Sequence, residues 1–286
     1  MTPGHLRWLL RRLLLAVLVV YGAASVAFFS LFLIPGDPVR VMLGAANPSP
    51  ELIAQTRHDT GFDRPVIEQY GLFLKRLVTG DLGTSYQLQE SVRHLIGTQI
   101  GPTVELAVTA LVLALVVSIA LAVLTAGRPV ARRVSATLEL VTASSPSFWI
   151  GVLLLTAFSF RLTWFPALGG SGPRGLVLPA ITLSLSMIGV FTQVLRAEIE
   201  RALDEPFVLS ARARGSGETA IRLRHALRHG LIPLVTLSGW MTGVLLGGAV
   251  VVETVFSRQG LGRTAADAIQ GRDFPVVTGV VIVSAI

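Results

Sequence analysis

The 286-residue chain has no cysteine, a single lysine and few charged residues. Without cysteine it can form neither disulfides nor thiolate metal sites, and it has no cysteine nucleophile. Because Lys75 follows leucine and no Gly-Lys pair occurs, the chain also lacks the phosphate-binding P-loop of nucleotide hydrolases. Only 14% of the residues are charged and 52% are hydrophobic, which is too apolar for a soluble domain of this size. The composition predicts an all-α protein that crosses a membrane several times.

Five uncharged runs are long enough to cross roughly 30 Å of hydrocarbon at about 1.5 Å per residue. They cover 13–34, 106–126, 140–160, 176–195 and 231–252. The first run lacks a small-residue cleavage site, so it is predicted to be a retained helix rather than a signal peptide. A further apolar run, 274–286, is too short to cross and is expected to be the start of a sixth helix, truncated at Ile286.

The distribution of arginine predicts the orientation in the membrane. The loops predicted to be cytoplasmic hold thirteen arginines, whereas the short loops predicted to lie outside hold five. The sequence therefore divides into 1–34, with a cytoplasmic N-terminus and the first helix, an exported segment over 35–103, and a core over 104–286 with a cytoplasmic loop at 196–232. An amphipathic helix is predicted over 65–78. Because the arginines flank apolar runs and form no stripe with aromatics, no nucleic-acid partner is expected despite the net charge of +7.

The largest charged island between apolar runs lies over 205–233. Its pattern predicts a short helix, a turn at a glycine and a second helical run leading to Pro233. Glycine adopts positive φ at no steric cost, and small side chains would allow another protein to approach the helix backbone. A basic loop is also expected from topology alone, so charge does not distinguish the two interpretations. The candidate binding residues are Ser210, Ala211, Arg212, Ala213, Arg214 and Gly215.

A few polar residues within or beside the apolar runs are further candidates. Glu253 either lines a translocation pathway or outer gate, or caps the helix end in water or pairs with Arg258. Ser184 and Thr192 suit either helix packing or a pathway lining. The acids Glu105 and Glu139 are expected to cap first helical turns. His225 and His229 are spaced to share a helix face, but no third ligand is near, so no metal site is predicted.

Several motifs along the chain resemble the permeases of binding-protein-dependent ABC importers, in their oligopeptide, dipeptide and nickel form. They are PGDP at 35–38, GDLGTS at 80–85, SARARG at 210–215, RHAL at 224–227, VVETVF at 251–256 and GRDFP at 271–275. Leu209 and Ser210 depart from the Glu and Ala of the broader family. The resemblance implies a type I importer fold with six helices, and it implies that residues 210–215 couple the permease to an ATPase.

The resemblance also implies a non-enzymatic transport subunit of the bacterial cell membrane that forms half of a pathway for dipeptides or oligopeptides. The implied partners are a second homologous permease, two ATP-binding subunits that hold ATP and Mg, an exported substrate-binding protein and the lipid bilayer, with no cofactor in this chain. Nickel or another small solute is an alternative cargo.

Two other classes of membrane protein fit the sequence less well. An ion-coupled carrier would need charges or broken helices at the membrane midplane, and the five runs are uncharged. The segment 169–172 resembles an intramembrane protease motif, but Ser171 is predicted to lie outside and His225 inside, beyond hydrogen-bond reach.

Overall fold

A computed structural model of the chain describes residues 3–33, 37–43, 49–170 and 172–285. Ser171, Ile286 and the first two residues of the PGDP motif lie outside the described residues. Two π-helical segments, Leu155–Arg161 and Arg222–Ala226, continue the helices that precede them. In chain order the α-helices are α1 Pro3–Leu33, α2 Pro38–Leu43, α3 Pro50–Thr60, α4 Val66–Val78, α5 Val92–Thr125, α6 Pro129–Ser144, α7 Ser147–Leu154, α8 Pro173–Leu203, α9 Pro206–Ala213, α10 Glu218–Ile221, α11 Leu227–Val255, α12 Leu261–Gln270 and α13 Phe274–Ala285.

Long apolar helices dominate the described part of the chain, which confirms the predicted all-α membrane fold. Four helical stretches in it are long and apolar enough to cross a membrane, and they are Arg7–Ser30, Val92–Thr125, Pro173–Leu203 and Glu218–Val255. A fifth crossing results if the bent pair α6 and α7 is counted as one span. The last helix, α13, is apolar but shorter.

The single helix predicted over 140–160 is wrong, because the chain bends by 103° between α6 and α7. Ser145 has extended backbone angles, with φ −82° and ψ 134°, and Pro146 follows it. Proline has no N–H to donate, and its ring disfavours helical angles in the preceding residue, so the helix ends there. The uncharged run 140–160 therefore contains parts of two helices with different orientations.

The helix α5 begins at Val92, within the segment predicted to be exported, and continues through Pro102. Gly97, Gly101 and Pro102 are unfavourable residues inside a helix. Packing overrides them, since Val92 and Ile96 are buried. A Cβ on Gly279 of α13 would contact both side chains, so that helix packs closely against the first turns of α5.

One compact unit comprises residues 1–100 and 264–286, and the division of the sequence into three regions by topology stays a prediction. Here α4 confirms the amphipathic helix predicted over 65–78. The rings of Tyr70 and Phe73 lie 5.3 Å and 5.2 Å from the ring of Phe28 on α1, and the Tyr70 hydroxyl is 2.6 Å from that of Ser25. The helix α4 is therefore held on α1 by aromatic contacts, and α13 packs against α1 in the same unit.

The second compact unit comprises residues 101–263 and is built around α8, which packs against α6 and α11. The core side chains Phe191, Leu195 and Ile199 of α8 are fully buried. A Cβ on Gly189 would lie only 2.8 Å from the carbonyl oxygen of Glu139, so glycine allows α6 to approach the α8 backbone. This close packing holds the middle of α8 against α6, and the arginine-rich loop follows the end of α8.

Candidate functional site

The arginine-rich loop over 205–233 contains two short helices, α9 and α10, joined by a glycine turn. Gly215 has a φ of +80°. Its N–H donates to the carbonyl of Arg212 at 2.9 Å, and the N–H of Ser216 donates to the carbonyl of Ala211 at 3.1 Å. These bonds form a Schellman ending, which favours glycine at the left-handed position. The helix, turn and helix predicted around Gly215 are confirmed, and α9, the turn 214–217 and α10 are called the glycine-turn motif below.

The inner side of the glycine-turn motif is a small apolar cluster. Val208 and Ala211 of α9 pack with Ile221 of α10, and each is at most 1% exposed. The expectation that Ala211 leaves room for another protein is therefore wrong for this residue. Its small side chain instead lets α9 pack closely on α10 within the chain.

The outer side of the motif is open to solvent. The guanidinium Nε of Arg212 donates to the Glu218 carboxylate at 2.7 Å and links α9 to α10 across the turn. Leu209 is 68% exposed, so a large apolar side chain is accessible on this side of the motif. The other exposed candidates are Ser210, Arg212, Ala213, Arg214 and Gly215. All the predicted coupling residues except Ala211 are thus accessible.

Helical structure connects the motif to the long helices on both of its sides. The helix α8 ends at Leu203, only two residues before α9 begins. On the other side, α10, the π-helical segment Arg222–Ala226 and α11 form one continuous helical stretch. The ring of Phe207 stacks on that of His229 at 5.6 Å, which holds α9 against the start of α11. The motif is therefore continuous with α11 and lies two residues from the end of α8.

A buried ion pair joins α6 and α8 near the motif. The guanidinium of Arg196 donates to the carboxylate of Glu139, which also accepts from the hydroxyl of Ser135. The side chains of Arg196 and Glu139 are 5% and 3% exposed. Glu139 lies within α6 rather than in its first turn, so the predicted capping role is wrong. The pair instead fixes α6 to the charged end of α8.

The carboxylate of Glu253 is wholly buried near the end of α11. It accepts hydrogen bonds from the hydroxyl of Thr103 at 2.6 Å and from the backbone N–H of Arg263 at 3.0 Å. Arg258 instead pairs with Glu105 of α5, at 2.6 Å. Neither a cap in water nor an ion pair of Glu253 with Arg258 is therefore present, and Glu105 lies well inside α5 rather than in a first turn.

The two hydroxyl candidates of α8 are buried as well. The Ser184 hydroxyl donates to the Ile181 carbonyl at 2.9 Å, whereas the Thr192 hydroxyl has no hydrogen-bond partner among the described residues. Both side chains are in the packed interior of their unit. Their assignment to a translocation pathway stays a prediction.

Comparison with known families connects this geometry to a class of proteins. A family described as "Binding-protein-dependent transport system inner membrane component" matches residues 114–286, and a family describing the N-terminal part of such membrane components matches residues 5–107. The chain belongs to this family. The permease is accordingly a multi-pass membrane protein with the type I ABC importer fold that the motifs predicted.

Several permeases are similar to this chain over almost its whole length. The glutathione transport system permease protein GsiC of Escherichia coli O6:H1 is 33% identical over 274 residues, which is 95% of this chain and 89% of the relative. GsiC of Salmonella choleraesuis is 33% identical over 279 residues, which is 97% and 91% of the two chains. The dipeptide transport system permease protein DppB of Alkalihalophilus pseudofirmus is 32% identical over 312 residues, with 98% and 93% covered. These relatives confirm an ABC permease of the peptide type.

One contact of the permease was missed in the sequence although both of its motifs were recognised. Asp273 in GRDFP is 3% exposed, and its carboxylate accepts from the hydroxyl of Ser85 in GDLGTS at 2.5 Å and from the N–H of Tyr86 at 3.2 Å. Burial and the negative charge of Asp273 raise the pKa of Tyr86 to about 12. The residues are almost two hundred positions apart, so no local pattern indicates the pairing.

Proposed function

We propose that this permease forms half of the translocation pathway of an ATP-driven importer of short peptides. The observation that carries the proposal is the exposed side of the glycine-turn motif, which lies between two membrane-spanning helices and continues into α11. A second permease subunit would complete the pathway, and an exported substrate-binding protein would deliver the peptide.

The cargo class rests on the relatives. Those with about one third identity over nearly the whole chain are named as glutathione and dipeptide permeases. Glutathione and dipeptides are both short peptides, so a pathway for short peptides is the common property. The family description adds dependence on a binding protein, which would choose the peptide before it reaches the membrane.

ATP hydrolysis is assigned to separate subunits that hold ATP and Mg, because the chain has no Gly-Lys phosphate loop. The excess of arginine in the loops on one side supports a cytoplasmic N-terminus and a cytoplasmic glycine-turn motif. Closure of two ATPase subunits would displace the motif, and α8 and α11 would carry the displacement into the membrane. Ser184, Thr192 and Glu253 are the candidates for the pathway or its outer gate.

Single cysteines provide a test of the coupling surface, because the chain has none of its own. Leu209→Cys places a thiol at a 68% exposed position, whereas Val208→Cys places one at a neighbouring position that is 1% exposed. In the co-purified assembly a maleimide–diazirine crosslinker attaches to the thiol and reacts with neighbouring C–H and N–H bonds on illumination. It is expected to join Leu209→Cys to an ATPase subunit and to leave Val208→Cys unreacted.

The matched pair makes the crosslink specific for the exposed side of α9. Crosslinking of Leu209→Cys to the exported binding protein alone would place the motif on the wrong side of the membrane. Absence of an ATPase subunit from every crosslink of Leu209→Cys would contradict the coupling role.

A further inference from the structure

Glu253 is buried among neutral hydrogen-bond donors. One carboxylate oxygen accepts from the Thr103 hydroxyl at 2.6 Å, and the other accepts from the Arg263 N–H at 3.0 Å. A buried carboxylate without such donors would be strongly unfavourable, so these two bonds stabilise the group in its buried position.

The hydroxyl of Thr103 has two partners at once. It donates to Glu253 and accepts from the backbone N–H of Leu261 at 2.8 Å. Together the hydroxyl and the carboxylate accept hydrogen bonds from the N–H groups of Leu261 and Arg263. The start of the 101–263 unit on α5, the end of α11 and the chain that follows α11 are thereby joined at one point.

The two glycines of the Gly-Leu-Gly sequence allow the chain to lie directly on α11. A Cβ on Gly260 would overlap the carboxylate of Glu253, and a Cβ on Gly262 would overlap the backbone of Val250. Any side chain at either position would push the segment away from its hydrogen-bond acceptors. The same close approach of the segment to α11 thus accounts for both glycines and for the position of Glu253.

A second set of contacts strengthens the same junction. The guanidinium of Arg258 donates to Glu105 of α5 at 2.6 Å, and that of Arg263 donates to the carbonyl of Ser257 at 2.6 Å. Of the segment 257–263, Gln259 is the residue with an exposed side chain. The segment therefore closes the junction instead of forming a free loop.

We propose that Glu253 is a positioning residue that clasps the segment 257–263 between Thr103 of α5 and the end of α11 and does not contact the cargo. We call Thr103, Glu253 and this segment the clasp. The inference rests on the proposed function for its outer location and for its effect on transport. Because the carboxylate is fully buried and its oxygens already accept from protein donors, a peptide charge has no access to it in this arrangement. Its role in an outer gate is to keep the end of α11 in register with α5.

The absence of native cysteine allows the clasp to be tested directly by labelling. Leu261→Cys places a thiol at a position that is 7% exposed, and a membrane-impermeant maleimide is added to the intact assembly. Thr103→Val removes the hydroxyl without changing the side-chain shape, and we expect labelling of Leu261→Cys to become at least about tenfold faster. Thr103→Ser keeps the hydroxyl and is expected to protect the thiol as the natural residue does.

Uptake measurements distinguish a positioning role of Glu253 from direct contact with the cargo. With Glu253→Gln, uptake of cationic, neutral and anionic dipeptides is expected to fall by the same factor, about tenfold, because an amide cannot accept every bond of the carboxylate. Thr103→Val is expected to cause the same loss, and Thr103→Ser to retain most of the uptake. A loss confined to cationic dipeptides would show that Glu253 meets the cargo and would overturn the inference.

Labelling also separates a failure of the clasp inference from a failure of the proposed membrane orientation. Gln259→Cys is exposed and is expected to react from outside in every background. Its reaction from the cytoplasmic side alone would contradict the proposed orientation of the permease. Equal protection of Leu261→Cys with Thr103→Val and with Thr103→Ser would instead contradict the clasp.

Discussion

Gly215→Pro is expected to remove the stimulation of ATP hydrolysis by peptide-loaded binding protein while the assembly still forms. Gly215 has a φ of +80°, whereas proline is restricted to about −65°. Proline also removes the N–H that donates to the Arg212 carbonyl, so the Schellman ending of α9 is lost. The turn would open and α9 would be reoriented. Because a Cβ at Gly215 meets nothing within 4 Å, the damage is confined to the motif.

The neighbouring glycine provides the control for this change. Gly217 has a φ of −69° and a ψ of 152°, which proline adopts readily. Stimulated ATPase activity of the assembly in lipid is expected to fall at least about tenfold with Gly215→Pro and to change little with Gly217→Pro. Equal activity of the two variants would mean that the turn geometry does not transmit the signal.

Arg196→Met is expected to cause a large loss of stability. It would leave the carboxylate of Glu139 buried without its cation, a change that typically costs about 3–5 kcal/mol. Replacing both partners of a buried ion pair by apolar residues is often neutral or stabilising. The combination of Arg196→Met with Glu139→Met is therefore expected to recover most of the stability.

An exposed ion pair on the same helix serves as the matched control. Arg201 pairs with Glu198 at 2.7 Å, but its side chain is 71% exposed, so Arg201→Met is expected to cost less than about 0.5 kcal/mol. The measurement is the temperature at which the purified permease assembly loses its monodisperse state. If Arg196→Met melts like Arg201→Met, or if the double substitution melts lower than Arg196→Met, the ion pair is not what joins α6 to α8.

The parts of the fold that follow local rules were predictable from the sequence. Uncharged runs gave the long helices α1, α5, α8 and α11, and Gly215 with its flanking helices gave the glycine-turn motif. The amphipathic helix α4 followed from its apolar periodicity. In each case the deciding interaction joins residues within a few positions of one another.

The remaining features depend on contacts between distant residues. Glu139 meets Arg196, Thr103 meets Glu253 and Ser85 meets Asp273 across 57, 150 and 188 positions. Acids near helix ends invite a capping interpretation because their buried partners are not visible in the sequence. The bend at Pro146 was missed for a different reason, since an uncharged run carries no information on whether one helix or two will form.

The most direct test of the central claim is uptake of a labelled dipeptide into proteoliposomes by the complete assembly of both permeases, the ATPases and the binding protein. ATP-driven import predicts accumulation that requires ATP and loaded binding protein and that persists when ionophores remove all ion gradients. Uptake that continues without ATP and stops with ionophores would contradict it and would identify an ion-coupled carrier.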